Sequence, residues 1–519
     1  MLDPHTLSLL LLKDSKSQTK QPLIKSQRKP RRLPKFWGRT ALLILILIQA
    51  SSVSVFAQGG VLGGSINKVG TLDLKEFVDL GDGKLNDLNY APGDDKIYVV
   101  KTDPGIFSVA ADGSSFSTFL DVNAAVLGST GRSVSHQSRV HFGTRSVAFH
   151  PDYQSNGKFY TSIIEGSNQN GAGPLLGSSL SRASGESVLV EWTANPTTGV
   201  ADPDSYREVF RVGFNDNDHP IKRIRFNEYA QPGDEDYGLL YVAHGDGTKA
   251  SNFGNGQNGD DALGKLLRID PIDPDGPGGA AYSVPATNPF VGDATKLDEI
   301  YALGFRNPHN FDWHLDSNGD DHLLLADIGH NALEEINLVE AGKNYGWNEL
   351  EGTRVYTGGG NGDPLGAGSI DTAGFTFPVA QFGRVDGTIA VFGGYVVPAG
   401  ENQGEYVFGN FSSTRLFHVT LDELITQVTE GDSEDLTQLA IEEFASVTLE
   451  GAPTTFSSLV ENSRSDARMG RGPDGTIYIT TKSNGKIWAI LPAVPEPTSM
   501  AIALVGLLGV SALRRRNVR

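Results

Sequence analysis

The body of the chain repeats one phrase, a polar turn followed by a short apolar run that often carries an aromatic residue. It reads Lys96-Ile97-Tyr98-Val99-Val100, Gly157-Lys158-Phe159-Tyr160 and Leu239-Leu240-Tyr241-Val242. It returns as Leu323-Leu324-Leu325-Ala326-Asp327, Glu405-Tyr406-Val407-Phe408 and Gly475-Thr476-Ile477-Tyr478. Short β-favouring runs bounded by turn residues are strands. The central residues Tyr98, Tyr160, Tyr241, Leu324, Tyr406 and Tyr478 lie 62 to 83 residues apart. That spacing leaves room for about four strands and their loops per unit. The pattern predicts an all-β fold, a six-bladed β-propeller, with a pair of β-sandwiches as the competing architecture. Propellers carry their sites on loops at one face, around the central channel.

The ends have a different pattern. Lys25, Arg28, Lys29, Arg31, Arg32, Lys35 and Arg39 precede an apolar run, Ala41–Ala50, and then Val55-Phe56-Ala57. This predicts a signal peptide with a long basic leader, residues 1–57, cut between Ala57 and Gln58. An uncleaved anchor is the alternative, although the run is short against the roughly 20 residues of a spanning helix. At the other end, Pro495-Glu496-Pro497 precedes the apolar Met500–Leu513 and the basic Arg514-Arg515-Arg516. The order resembles the PEP-CTERM sorting tail of bacteria, which implies an exosortase-type sorting enzyme as partner. It also implies a hydrophobic tail helix over 493–519 and a place in the cell envelope, periplasm or extracellular matrix. The predicted body is then 58–492, touching a membrane only through the terminal segments.

Composition sharpens this picture. The 62 glycines and 26 prolines among 519 residues favour many tight turns, and a hydrophobic content of 39% allows a sizeable core. The formal charge of −19 divides into +8 over 1–57, +3 over 493–519 and −30 in the body. An acidic body excludes a nucleic-acid partner, because phosphate contacts need basic groups. It suits an exported protein and offers carboxylates to Ca²⁺. With no cysteine, disulfides, zinc-thiolate sites and thiol nucleophiles are excluded.

Four segments carry candidate chemistry. His150-Pro151-Asp152 reads as a turn, with His150 capping it rather than reacting. Asn217-Asp218-His219-Pro220, followed by Gly245-Asp246-Gly247, places a histidine beside an aspartate at a loop-to-strand junction. A histidine there can serve as a general base toward an alcohol. Gly304-Phe305-Arg306-Asn307-Pro308-His309 offers a guanidinium fork and an amide to carboxylate or quinone oxygens. Arg306 paired with a buried carboxylate is the structural alternative. Asp327-Ile328-Gly329-His330, with Glu334-Glu335 and Asn344-Tyr345-Gly346-Trp347, can turn main-chain carbonyls toward a hard cation, and Ca²⁺ suits such an oxygen-rich site. Asp316-Ser317-Asn318-Gly319-Asp320-Asp321 lacks the downstream Glu of a calcium loop and reads as a hairpin turn.

The order and spacing of these segments resemble the soluble quinoprotein glucose/sorbosone dehydrogenases, over roughly residues 70–492. The resemblance implies an oxidoreductase that uses pyrroloquinoline quinone (PQQ) and Ca²⁺ to oxidise a sugar or polyol. His219 would be the general base with Asp218 beside it, and Arg306 and Asn307 would contact the quinone. The carbonyls of Gly329 and His330 would hold the catalytic Ca²⁺, and Glu335 and Tyr345 fall near a second, structural one. The pattern also has departures. His141 stands where members that oxidise glucose carry Gln or Glu, and Gly247 where they carry Gln. Ser412 stands at the position of a cofactor-binding Lys. Ser465 and Ala467 stand at an Arg pair, flanked here by Arg464 and Arg468. Each lost cationic contact to a carboxylate removes a bond worth about 1.5–3 kcal/mol. Two other functions stay open: a cofactor-less propeller binding extracellular polysaccharide, and a calcium-dependent, lactonase-like hydrolase.

Overall fold

The computed structural model describes residues 66–135, 143–166, 174–177, 185–214, 218–248, 255–272, 281–356, 363–364, 374–384, 390–427 and 441–492. The expected leader (1–57), the sorting tail (493–519) and His141 lie outside the described residues.

The chain is built from antiparallel meanders. After β1 (Lys68–Asp79), a first sheet is made by β2 (Leu85–Tyr90), β3 (Ile97–Lys101), β4 (Gly105–Val109) and β5 (Phe116–Asp121). Helix α1 (Val122–Thr130) leads to the second, formed by β6 (Thr144–Phe149), β7 (Lys158–Glu165), β8 (Gly185–Asn195) and β9 (Val200–Phe214). The third comprises β10 (Ile221–Phe226), β11 (Leu240–His244), β12 (Lys265–Ile269) and β13 (Ile300–Leu303). Next come β14 (Pro308–Leu315), β15 (Asp321–Asp327) and β16 (Leu333–Leu338). A small sheet follows, β17 (Leu350–Glu351), β18 (Arg354–Val355) and β19 (Asp363–Pro364), before β20 (Ala380–Gly383) completes the fourth sheet beside β16. The remaining strands are β21 (Val391–Val396), β22 (Glu405–Asn410), β23 (Leu416–Thr420), β24 (Glu442–Leu449), β25 (Ala452–Thr454), β26 (Arg468–Arg471), β27 (Ile477–Thr480) and β28 (Lys486–Ile490).

Turn chemistry explains the short connections. Asp79, Asp112, Asp316 and Asp474 each accept the backbone N–H two residues on, the Asx geometry that reverses a chain locally. The acidic run at Asp316 is therefore the β14–β15 hairpin. Among the described residues, no helix is long and apolar enough to cross a membrane.

The six separate blades expected from the repeat are not formed. The fold is propeller-like, with four blades and one large barrel-like sheet of nine strands. The phrases at Tyr98, Tyr160, Tyr241 and Leu324 are the second strands of the four blades, but those at Tyr406 and Tyr478 share the nine-stranded sheet. The cause is β1. Its first half pairs parallel with β24 from Lys68 to Leu74, and its second half pairs antiparallel with β28 from Leu74 to Asp79. One 12-residue strand thus carries two ladders and leaves no break between β21–β24 and β26–β28.

The first strands pack side by side, β2 on β6, β6 on β10, β10 on β14, β14 on β21, β21 on β26, and β26 back on β2. Every residue of β6 and β10 is buried. Charges on these strands therefore need partners inside. Arg225 makes a two-pronged contact with Asp87, at 2.9 and 2.6 Å, and Arg223 donates to Asp312 at 3.3 Å. In the second sheet the fully buried Arg211 gathers Glu165 (2.6 Å), Glu186 and Glu208. Breaking a buried ion pair from one side costs about 3–5 kcal/mol, because the orphaned charge stays desolvated. Arg211→Met is expected to lower unfolding free energy by at least that much in denaturant titration.

Candidate active site

The loops before β10, β14 and β26, with the β15–β16 connection, enclose a cavity of about 200 Å³. Asp218, His219, Arg306, Asn307, Gly329 and His330 all line it, so six of the expected site residues meet in one place. Gly247 is not among the residues lining it; it packs against Phe214 and Leu263. Tyr345 lies in the core, where its hydroxyl donates to the Leu338 carbonyl at 2.6 Å and its ring stacks on Phe305. Glu335 is buried and accepts the Gly352 N–H at 2.6 Å. Among the described residues, no group of three or more His, Asp or Glu is arranged to hold a metal ion.

His219 is held from behind. Its Nδ1 lies 2.6 Å from Asp246 Oδ1, and the other Asp246 oxygen accepts the Trp347 indole N–H at 2.9 Å. The Asp246 N–H in turn donates to the Arg306 carbonyl at 2.7 Å. Gly245 makes this approach possible, since a Cβ there would sit 2.6 Å from the His219 Cβ. Asp218 is further away, with Oδ1 3.8 Å from Nε2. Burial, aided by the Arg306 charge, lowers the His219 pKa below its ordinary 6.5 against the opposing pull of Asp246. The ring is therefore neutral at pH 7, and the bond to Asp246 assigns its proton to Nδ1. His219, Ala390 and Asp466, all lining the cavity, have positive φ of 51°, 71° and 43°. Such strain in non-glycine residues collects where a site needs fixed geometry.

The cavity lining is rich in cations. Arg306, Arg384, Arg464, Arg468 and Lys482 belong to it, as do Asp218 and Asp466. Arg464 is paired with Asp466 at 2.8 Å, whereas Arg468 lies over the Phe411 ring at 4.3 Å. Burial and mutual repulsion push the Arg468 and Lys482 pKa values well below their ordinary range. Asn307 Oδ1, His309 Nδ1 and Arg306 Nε are buried without a hydrogen-bond partner, an unusual cost in a folded protein. Asp327 does not pair with the Arg306 guanidinium. It accepts the backbone N–H groups of Arg306 and Asn307 at 2.8 and 2.7 Å.

The Gly329–His330 loop is clamped from both sides. Glu351 Oε1 accepts the N–H groups of His330, Asn331, Ala332 and Leu333 at 2.6–3.2 Å. The Gly329 carbonyl accepts from Arg306 at 2.5 Å and from Arg384 at 2.6 Å, and the His330 carbonyl also accepts from Arg384. Glycine is required at 329, where a Cβ would collide with the Leu333 carbonyl and the Glu351 carboxylate.

The model of the glucose / sorbosone dehydrogenase family matches residues 93–489. The chain belongs to the glucose/sorbosone dehydrogenase family. A PEP-CTERM protein-sorting motif matches residues 493–516, which marks the chain for export to a bacterial envelope with exosortase-type processing. The chain is 30% identical over 290 residues to the HIPL2 protein of Arabidopsis thaliana, covering 49% of this chain and 40% of that protein. The match thus spans well under half of that relative. Quinoprotein glucose dehydrogenase B of Acinetobacter calcoaceticus is 24% identical over 327 residues, 61% of each chain. Among solved structures, the PQQ-bound aldose sugar dehydrogenase of Streptomyces coelicolor superposes with a TM-score of 0.50 at 18% identity. That match covers 82% of this chain and 99% of the other and shows the shared fold.

Asp246, Glu351, Arg384 and Lys482 are site residues that the sequence motifs did not single out. Asp246 could have been found, since it sits inside Gly245-Asp246-Gly247; the other three carry no local signal. In histidine-labelled protein the His219 ring is expected to titrate below pH 6.5. Asp246→Asn is expected to move that titration lower still, because a stabilising negative charge is lost. A shift upward would contradict the arrangement.

Proposed function

We propose that the chain oxidises the hydroxyl of a sugar or polyol, with His219 as general base and PQQ as the electron acceptor. The observation that carries this reading is a neutral, buried histidine, tied through Nδ1 to Asp246, facing a cationic cavity with unpartnered polar atoms. Those residues fit a quinone with three carboxylates. Arg306 and Asn307 would hold its quinone oxygens, and Arg468 and Lys482 would offer N–H donors to its carboxylates where Ser412 and Ser465 do not. Ser465 is buried and its hydroxyl is spent on the Asn410 carbonyl at 3.0 Å.

When bound, PQQ supplies a two-electron acceptor for the substrate C–H bond. The chain supplies the proton path. His219 Nε2 takes the hydroxyl proton, Asp246 holds the ring in orientation, and the negative charge of Asp246 and Asp218 steadies the imidazolium that forms. The body, 58–492, is the catalytic unit in this reading, with 1–57 removed on export. The Gly329 and His330 carbonyls are taken by guanidinium groups, and a divalent cation does not fit between them.

His219→Ala is expected to lower sugar-dependent dye reduction by about 10²–10⁴-fold while PQQ binding persists. Arg468→Ala is expected to weaken PQQ binding about ten- to a hundredfold, the loss of one charge-assisted contact. Unchanged turnover in His219→Ala across a panel of aldoses would overturn the assignment of the base.

A further inference from the structure

The peptide linking Gly329 to His330 and the one linking His330 to Asn331 have the same surroundings. In a trans peptide the N–H and C=O point opposite ways. Here the N–H ends of both, on His330 and Asn331, donate to Glu351 Oε1 at 2.6 and 2.8 Å. Their carbonyl ends, on Gly329 and His330, both accept from the guanidinium of Arg384. Two peptide dipoles thus lie between a carboxylate and a guanidinium, each end facing the charge it favours. Arg384 is fixed in turn by Glu334, a fully buried carboxylate that takes its Nε at 2.7 Å and the N–H groups of Ala390 and Val391 at 2.9 Å. Arg306 Nη1 adds a second guanidinium bond to the Gly329 carbonyl and one to Ile328 at 3.0 Å. A carbonyl oxygen has two lone pairs, and at Gly329 both are used.

We propose that Arg384 is a built-in cation, seated on the carbonyl pair where a divalent ion would have to bind, so that this site takes its acidic quinone without a metal. The part of this concerning the quinone rests on the function proposed above; the exclusion of the metal rests on the guanidinium bonds to the two carbonyls, two from Arg384 and one from Arg306. A divalent ion at Gly329 and His330 would have to displace guanidinium N–H groups and stand beside the charges of Arg384 and Arg306. Removing Arg384 would leave two carbonyl oxygens and the Glu334 carboxylate facing one another, a hard-oxygen donor set of the kind Ca²⁺ prefers.

The test is a calcium titration of the full chain after chelator treatment, followed by calorimetry and by thermal unfolding. Wild type and Arg384→Lys are expected to give no saturable heat and no rise in Tm up to millimolar Ca²⁺. Arg384→Ala is expected to bind Ca²⁺ at least tenfold more tightly than wild type and to gain a Ca²⁺-dependent rise in Tm. If the lone Glu334 unfolds that variant, the double variant Arg384→Ala with Glu334→Gln retains both carbonyls and is expected to show a weaker gain. An equal Ca²⁺ response of wild type and the Arg384 variants, whether all bind or none does, overturns the proposal. A PQQ titration in Ca²⁺ or in chelator then separates the two claims. Binding within twofold in both supports the metal-free site, and binding only with Ca²⁺ refutes it. Binding in neither sinks the quinone reading, while the calcium comparison still decides Arg384.

Discussion

Charge buried on the inner strands has to be matched where it stands, and that constraint shapes the whole molecule. β2, β6, β10, β14 and β26 bring Asp87, Arg145, Lys222, Arg223, Arg225, Asp312 and Arg468 into the interior. Around Asp87 and Asp312 the match is made within the protein, by Arg225 and Arg223. A larger cavity of about 350 Å³ lies beside that network, but its charges are already paired. Glu228 there is bonded to Arg471 and accepts a hydrogen bond from the Tyr90 hydroxyl at 2.5 Å. The cavity beside His219 is lined by five cationic side chains and two carboxylates. Desolvated positive charge of that kind is costly unless an anion completes it, which is why the smaller cavity is the better candidate for a polyanionic cofactor.

The same constraint explains how the site is made rigid. Each group of the candidate site is held by a residue from another element. Asp246, after β11, holds His219; Glu351 in β17 holds the Gly329–His330 loop; and Glu334 in β16 holds Arg384. The small β17–β18 hairpin therefore has a specific use, as it places Glu351 behind four successive N–H groups. Sites supported in this way keep their geometry before any ligand arrives.

Strand positions were legible because they depend on local pattern. All six repeated phrases fall on strands, and His219, Arg306, Asn307 and Gly329, each in a short motif, line one cavity. The joining of the last two units was not legible. It depends on β1 pairing with a strand about 375 positions away, as Lys68 and Glu443 show, and nothing in the apolar pattern of Lys68–Asp79 names that partner. Arg384, Glu351 and Lys482 were missed for the same reason. Each is a lone charged residue whose role is fixed only by tertiary approach. Ser412 and Ser465 suggested a loss of cationic contacts; Arg468, which flanks Ala467 in the sequence, and Lys482 both line the cavity. Lys482 could not be found by position, because it stands on a different loop, between β27 and β28.

The most direct measurement is equilibrium binding of PQQ to the full chain, followed by quinone absorbance and then by addition of an aldose. The expected result is saturable one-to-one binding and sugar-driven bleaching of the quinone. Failure to saturate at micromolar PQQ would contradict the account, since it would mean that the cationic lining around His219 serves some other anion.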